Sequence, residues 1–186
     1  VYLLLTGLAF SHPRLFWITV LSGGGQTARF LHPWIGLLFT VSLASMFFIW
    51  AKDMRLEGND RAWLKAIRAY ATRQKEGVPP AGKYNAGQKL FFWTITVLGI
   101  VHLASGIPLW LPAGVLGVGP FYGSTVNTMR LLHYATTLGG GLLLIVHVYL
   151  GTIAYPGTLG AMLHGHVSRA WARHHHPVWE KEQAGD

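Results

Sequence analysis

The sequence predicts an all-α fold, an integral-membrane four-helix bundle with a short helix on its cytoplasmic surface. Three observations predict it. Of 186 residues, 51% are hydrophobic and only 12% are charged, about half of the roughly 25% found in soluble domains. Three stretches, 30–51, 90–111 and 131–153, contain no Asp, Glu, Lys or Arg, and each reaches the roughly 20 residues needed to cross a hydrocarbon core. The basic residues are gathered between and after these stretches, not spread along the chain. In lipid such spans are helical, because every backbone polar group must find its partner within the segment.

The first element is the apolar run 1–10, broken by Ser11, His12, Pro13 and Arg14. It is half a span. Together with the absence of an initiator methionine, this predicts a partial first helix, entered partway along. The span 30–51 follows, and then a polar segment, 52–89, with nine basic and four acidic residues. Within it, 61–74 places Trp63, Leu64, Ile67, Tyr70 and Ala71 on one helical face. Basic residues flank that stripe, as in a helix lying on a membrane surface. Residues 77–82, Gly-Val-Pro-Pro-Ala-Gly, read as a turn-rich linker. The spans 90–111 and 131–153 come next, and residues 154–186 form a polar tail.

Charge gives the expected topology. The segment 52–89 and the tail hold twelve of the fifteen Lys and Arg, and the opposite side has Arg14, Arg29 and Arg130. Positive residues collect on the cytoplasmic side, so the loop and tail are expected there. The second and fourth helices then start outside. The net charge of +8 is explained by this flanking, and no nucleic-acid partner is expected. With no cysteine, disulfides, iron–sulfur clusters and thiolate-bound metals are excluded within the chain. Iron held here must use histidine or methionine.

A polar ionisable residue within a span is a functional candidate. His32 and His133 stand near the outer starts of the second and fourth helices, at matching depth, where two imidazoles can grip one haem iron. Arg29 and Arg130 each precede a histidine by three residues, on the same helix face. They are candidates for pairing with haem propionates, or for anchoring the helix ends. His147 follows His133 by fourteen residues, close to four turns and roughly 21 Å along the same face, a separation suited to a second haem. Gly140 lies midway between them, in a glycine run that lets a macrocycle or a helix approach. The residues offer His147 no good inner partner, and the inner start of the first helix is where one is expected. His102 lies toward the outer side of its helix and is expected to be packed or hydrogen-bonded. His164, His166 and His174–His176 are expected in a solvated tail.

Three stretches resemble a known family. They are Arg29-Phe30-Leu31-His32-Pro33, the string Lys83-Tyr84-Asn85-Ala86-Gly87-Gln88-Lys89 with the Leu-Phe-Phe-Trp that follows, and His133 and His147 with the tail 167–177. Together they resemble the gamma subunit of membrane-bound formate dehydrogenase, a four-helix di-haem cytochrome b, over nearly the whole chain. The resemblance implies that residues 1–186 form one membrane cytochrome b domain in the bacterial inner membrane. It implies two b-type haems, with His32 and His133 ligating the outer one. His147 would ligate the inner one, whose other ligand lies before Val1. It implies quinone as a substrate near Asn85, Gly87 and Gln88, where an amide offers a donor to a quinone carbonyl. Asn85 also suits a helix N-cap. The implied partners are an iron–sulfur subunit and a molybdenum or tungsten catalytic subunit that oxidises formate, chemistry for which this chain has no motif. The rivals are the cytochrome b of a nickel–iron hydrogenase or related reductase, and, from another class, a haem-free membrane anchor or small transporter.

Overall fold

A computed structural model describes residues 1–72, 77–114 and 116–185, and among these the secondary structure is helical, with no β-strand. Helix α1, Tyr2–Ser11, ends where His12 turns extended before Pro13. A 3-10 helix, Pro13–Ser22, follows and stops at Gly23, whose φ of 83° suits glycine. Helix α2 is Gly25–Trp50. Two short helices, α3 (Gly58–Lys65) and α4 (Ile67–Ala71), come next. Helix α5 is Ala86–Trp110. Helix α6, Gly123–Tyr149, passes directly into a π-helical turn, Leu150–Ala154. Three short helices close the chain: α7 (Thr158–His164), α8 (Arg169–His175) and α9 (Pro177–Ala184).

Among the described residues, three helices are long and apolar enough to cross a membrane: Gly25–Trp50, Ala86–Trp110 and Gly123–Ala154. They begin earlier than the uncharged stretches because the helical backbone continues into Gln26, Thr27 and Arg29, and into Ser124, Asn127 and Arg130. Hydropathy marks where side chains are apolar, and helical hydrogen bonding does not stop there. Their outward faces are greasy: Phe48 is 82% exposed and Ile145 66%. The most buried positions are small and hydroxyl residues, with Thr6 and Ala9 of α1, Thr19 of the 3-10 helix, Ala28 of α2 and Ser105 of α5 all almost wholly buried. This inverts the pattern of a water-soluble core and matches helix packing in lipid, where small side chains let backbones approach.

The chain divides into two compact units: Val1–Phe47 with Ile95–Leu143, and Phe48–Thr94 with Leu144–Asp186. In the first, four helical segments meet through small residues. Gly141 is buried on α6, where a Cβ would lie 3.0 Å from Leu4 of α1. On α5 a methyl at Gly99 would run into Leu43 of α2. This unit has no acidic residue; all seven Asp and Glu of the chain fall in the second.

In the second unit, reciprocal capping starts two helices. Glu57 and Asp60 box the start of α3. Asn85 and Gln88 do the same for α5: the Gln88 N–H donates to Asn85 Oδ1 at 2.9 Å and the Asn85 N–H to Gln88 Oε1 at 2.8 Å. Buried Lys89 ties the two helix starts together through Asp60 at 3.0 Å.

The single surface helix expected over 61–74 is instead two short helices, broken at Ala66. Gln74 lies outside the described residues, and the Ala71 side chain is likewise outside the description. Trp63 is buried and meets Tyr70, with ring centroids 4.7 Å apart, whereas Ile67 is exposed. Tertiary packing of the aromatic pair overrides the continuous stripe. The tail is also more ordered than its polarity suggests. His176 is buried and its Nδ1 donates to the Gly82 carbonyl at 2.8 Å, so it is not the solvated residue expected.

Candidate functional site

The first unit brings three histidines together. The ring centroids of His32 on α2 and His133 on α6 lie 6.4 Å apart, at 62° between planes. His102 on α5 meets His133 edge-on at 4.9 Å. Pro33 follows His32 inside α2; having no N–H, it leaves the carbonyl four residues earlier without its usual helical partner. Two glycines let the rings lie against neighbouring backbone. A Cβ at Gly106 would stand 3.2 Å from His133 Cε1, and one at Gly7 3.9 Å from His32 Cε1.

The hydrogen bonds sort these histidines. The Thr6 hydroxyl donates to the Tyr2 carbonyl at 2.9 Å and lies 2.6 Å from His32 Nδ1. The Ser105 hydroxyl donates to the Val101 carbonyl at 2.6 Å and lies 2.9 Å from His133 Nδ1. A hydroxyl has one hydrogen. With that hydrogen on the helix carbonyl, each oxygen accepts from the imidazole, so Nδ1 carries the proton and Nε2 keeps its lone pair. His102 is wired differently. Its Nδ1 donates to the Leu98 carbonyl at 3.0 Å and its Nε2 sits 3.1 Å from Thr137 Oγ1. Both ring nitrogens are engaged, as expected for a packed histidine.

The pair fits haem iron. An imidazole nitrogen binds a metal at about 2.0 Å, and the ring centroid lies roughly 1.1 Å beyond, so two imidazoles on opposite faces of one iron stand about 6.3 Å centroid to centroid. The observed 6.4 Å agrees. Among the described residues no group of three or more His, Cys, Asp or Glu is placed to hold a metal ion. A bare ion would lack ligands here, whereas a porphyrin brings four of its own.

The other expected residues divide between the two units. In the first, Arg29 and Arg130 are exposed near the starts of α2 and α6, and Arg130 donates to Asn127 Oδ1 at 3.0 Å. A Cβ on Gly140 would meet nothing within 4 Å, so the close helix approach belongs to its neighbour Gly141. In the second unit, His147 is exposed and stacks on Phe91 at 4.6 Å. Asn85, Gly87 and Gln88 share the first turn of α5. Asn85 is buried, and its side chain reaches Tyr70. Gln88 is exposed, with its carbonyl engaged in the cap and its amide hydrogens left over. The space above Gly87 belongs to Trp63, whose ring would lie 3.0 Å from a Cβ there. Tyr70 stacks on Tyr155 at 4.9 Å. Burial pushes the Tyr70 phenol above its ordinary pKa, its hydrogen bond with Tyr155 adds to this, and Asn85 opposes it.

Sequence reasoning missed Thr6 and Ser105. The available signal was a hydroxyl within an apolar helix, which is weak, since such hydroxyls commonly bond their own carbonyls.

Known proteins similar to this chain identify its family. The description of the prokaryotic cytochrome b561 family matches residues 1–165. The formate dehydrogenase cytochrome b556(fdo) subunit of Escherichia coli (strain K12) is 33% identical over 178 residues, 95% of this chain and 81% of the relative. The nitrate-inducible formate dehydrogenase cytochrome b556(Fdn) subunit of the same strain is 33% identical over 184 residues, 96% of this chain and 80% of the relative. The formate dehydrogenase cytochrome b556 subunit of Haemophilus influenzae is 30% identical over 179 residues, 96% and 73%. With a family description covering most of its length, relatives this similar, and paired imidazoles in apolar helices, the chain belongs to the prokaryotic cytochrome b561 family.

Proposed function

We propose that this chain is the haem-bearing membrane subunit of a formate dehydrogenase, carrying electrons from an iron–sulfur subunit to quinone in the bacterial inner membrane. The observation that carries the reading is the His32–His133 pair, whose ring centroids stand 6.4 Å apart with a hydroxyl against each Nδ1. A haem-free anchor gives no reason for two imidazoles to share that spacing and that hydroxyl contact. The hydrogenase alternative shares the wiring, and the relatives named as formate dehydrogenase subunits favour formate.

Bound b-type haem supplies a one-electron centre whose potential follows its axial ligands, burial and hydrogen bonds. His32 and His133 hold the outer group. Arg29 and Arg130, both exposed, place guanidinium charges where propionates meet water. Gly140 keeps open space beside α6. His147, also on α6, takes a second haem, with Phe91 stacked against its ring.

Quinone reduction consumes two electrons and two protons. The Gln88 amide is exposed and its N–H groups are uncommitted by the cap, so Gln88 donates to a quinone carbonyl. Asn85 fixes the turn that presents it, and Gly87 admits Trp63 against that turn. The segment 52–89 and the tail, with twelve of the fifteen Lys and Arg, lie in the cytoplasm by the positive-inside tendency and take up the protons. The docking surface for the iron–sulfur subunit, and through it the molybdenum or tungsten subunit, is outside.

The direct test is a reduced-minus-oxidised visible spectrum of the purified complex, with formate as donor and a quinone analogue as acceptor. A b-type signal reduced by formate and reoxidised by quinone is expected. Absence of any reducible b-type signal contradicts the reading.

A further inference from the structure

We propose that Thr6 and Ser105 are positioning residues that orient the two axial imidazoles and lower the potential of the iron they hold; this rests on the haem reading above. Neither hydroxyl needs a histidine for its own satisfaction. Each already donates to the carbonyl four residues back in its helix, Thr6 to Tyr2 and Ser105 to Val101. Each is about 1% exposed, so its remaining acceptor capacity is out of reach of solvent. That capacity is directed at one atom in each case, Nδ1 of His32 at 2.6 Å and Nδ1 of His133 at 2.9 Å.

The arrangement occurs twice, from different helices. Thr6 is on α1 and serves α2, whereas Ser105 is on α5 and serves α6. A chance packing contact would not be expected to repeat the carbonyl–hydroxyl–imidazole order at both members of the pair. His102, lying beside them, has its Nδ1 on the Leu98 carbonyl of its own helix and no hydroxyl there, and its own backbone is a second partner of His133 beside Ser105.

The consequence is electronic as well as geometric. An acceptor on Nδ1–H fixes the tautomer and the ring orientation and raises the basicity of the ligating nitrogen. Because the hydroxyl is itself polarised by donating to a carbonyl, its oxygen is a better acceptor. A more basic nitrogen favours ferric over ferrous iron, so the relay lowers the midpoint. Removing such a partner changes a metal site by about 10-fold or more. A tenfold change in a one-electron equilibrium corresponds to about 59 mV.

The experiment uses the intact complex carrying Thr6→Val, Ser105→Ala or Ser105→Thr. Readouts are haem per protein, the midpoint of the outer haem by optical titration, and the g-values of the oxidised protein. Haem is expected to stay, with the midpoint raised by about 59 mV in Thr6→Val and in Ser105→Ala, and near the parent value in Ser105→Thr. Unchanged midpoints and g-values in haem-replete Thr6→Val and Ser105→Ala overturn the proposal. If Ser105→Ala binds no haem, Thr6→Val decides, since a raised midpoint supports the relay and an unchanged one overturns it. His133→Ala separates the two levels of inference: full b-type haem in that variant defeats the haem reading itself, whatever the midpoints do.

Discussion

His102 and His133 have rings 4.9 Å apart yet differ in what their nitrogens can do. His133 meets the Ser105 hydroxyl at Nδ1 and the backbone of His102, whereas His102 has its two ring nitrogens on Leu98 and Thr137. Replacing His133 by Ala should therefore remove the outer haem and block electron flow from formate to quinone. Replacing His102 by Ala should leave haem content intact and lower stability by about 1–3 kcal/mol, through the polar groups left unpaired. Haem quantified per purified complex checks both. At the proposed quinone site, Gln88→Ala should spare haem content and slow quinone reduction. Haem loss in that variant would move Gln88 from quinone contact to structure. The histidines were legible because an imidazole is conspicuous in an uncharged apolar stretch. Thr6 and Ser105 were not, because nothing in the sequence separates a hydroxyl that merely back-bonds its own helix from one that also meets an imidazole. Nor does the sequence say that the space above Gly87 belongs to Trp63.

On α6 the glycine run 139–141 divides its labour. Gly141 is filled by Leu4, and Gly140 faces open space. Gly141→Leu should crowd α1, costing about 1–3 kcal/mol by overpacking, measured as lost thermal stability in detergent. Gly140→Leu meets no protein atom, so its effect should appear in haem content instead. The sequence marked the run as a place of close approach, but only the packing says which glycine is approached.

The tail elements carry a pH dependence. Burial holds His176 below its ordinary pKa while its Nδ1 donates to Gly82. Undoing the tail therefore allows it to bind a proton more readily. The stability it contributes is present above about pH 6.5 and declines as pH falls below that. Glu180 behaves separately. Arg169, donating to it at 2.6 Å, holds its carboxyl below the usual range, so its contribution lasts until about pH 4.3. Between these limits, hydrogen exchange across 169–184, corrected for intrinsic rate, should rise on acidification in the parent. It should be insensitive to pH in His176→Ala. No sequence pattern announced this, because the contact joins residues far apart in the chain.

At the scale of the molecule, the partition of charge was the most legible feature. Uncharged stretches gave three membrane-length helices, and the acids and most of the basic residues fall in one compact unit. The helix ends were less legible, since backbone hydrogen bonding continues past the apolar side chains. The same partition sets an orientation test. Cysteines introduced at Lys83 and Arg130 should react with a membrane-impermeant thiol reagent from opposite sides, Lys83 from the cytoplasm. In the function proposed above, the grip of His32 and His133 on one iron is what makes this membrane protein an electron carrier. The most direct test is the electron paramagnetic resonance spectrum of the oxidised complex beside those of His32→Ala and His133→Ala. The expected result is one low-spin ferric bis-imidazole signal present in the parent and missing from both variants. Persistence of the full set of signals in either variant would contradict it.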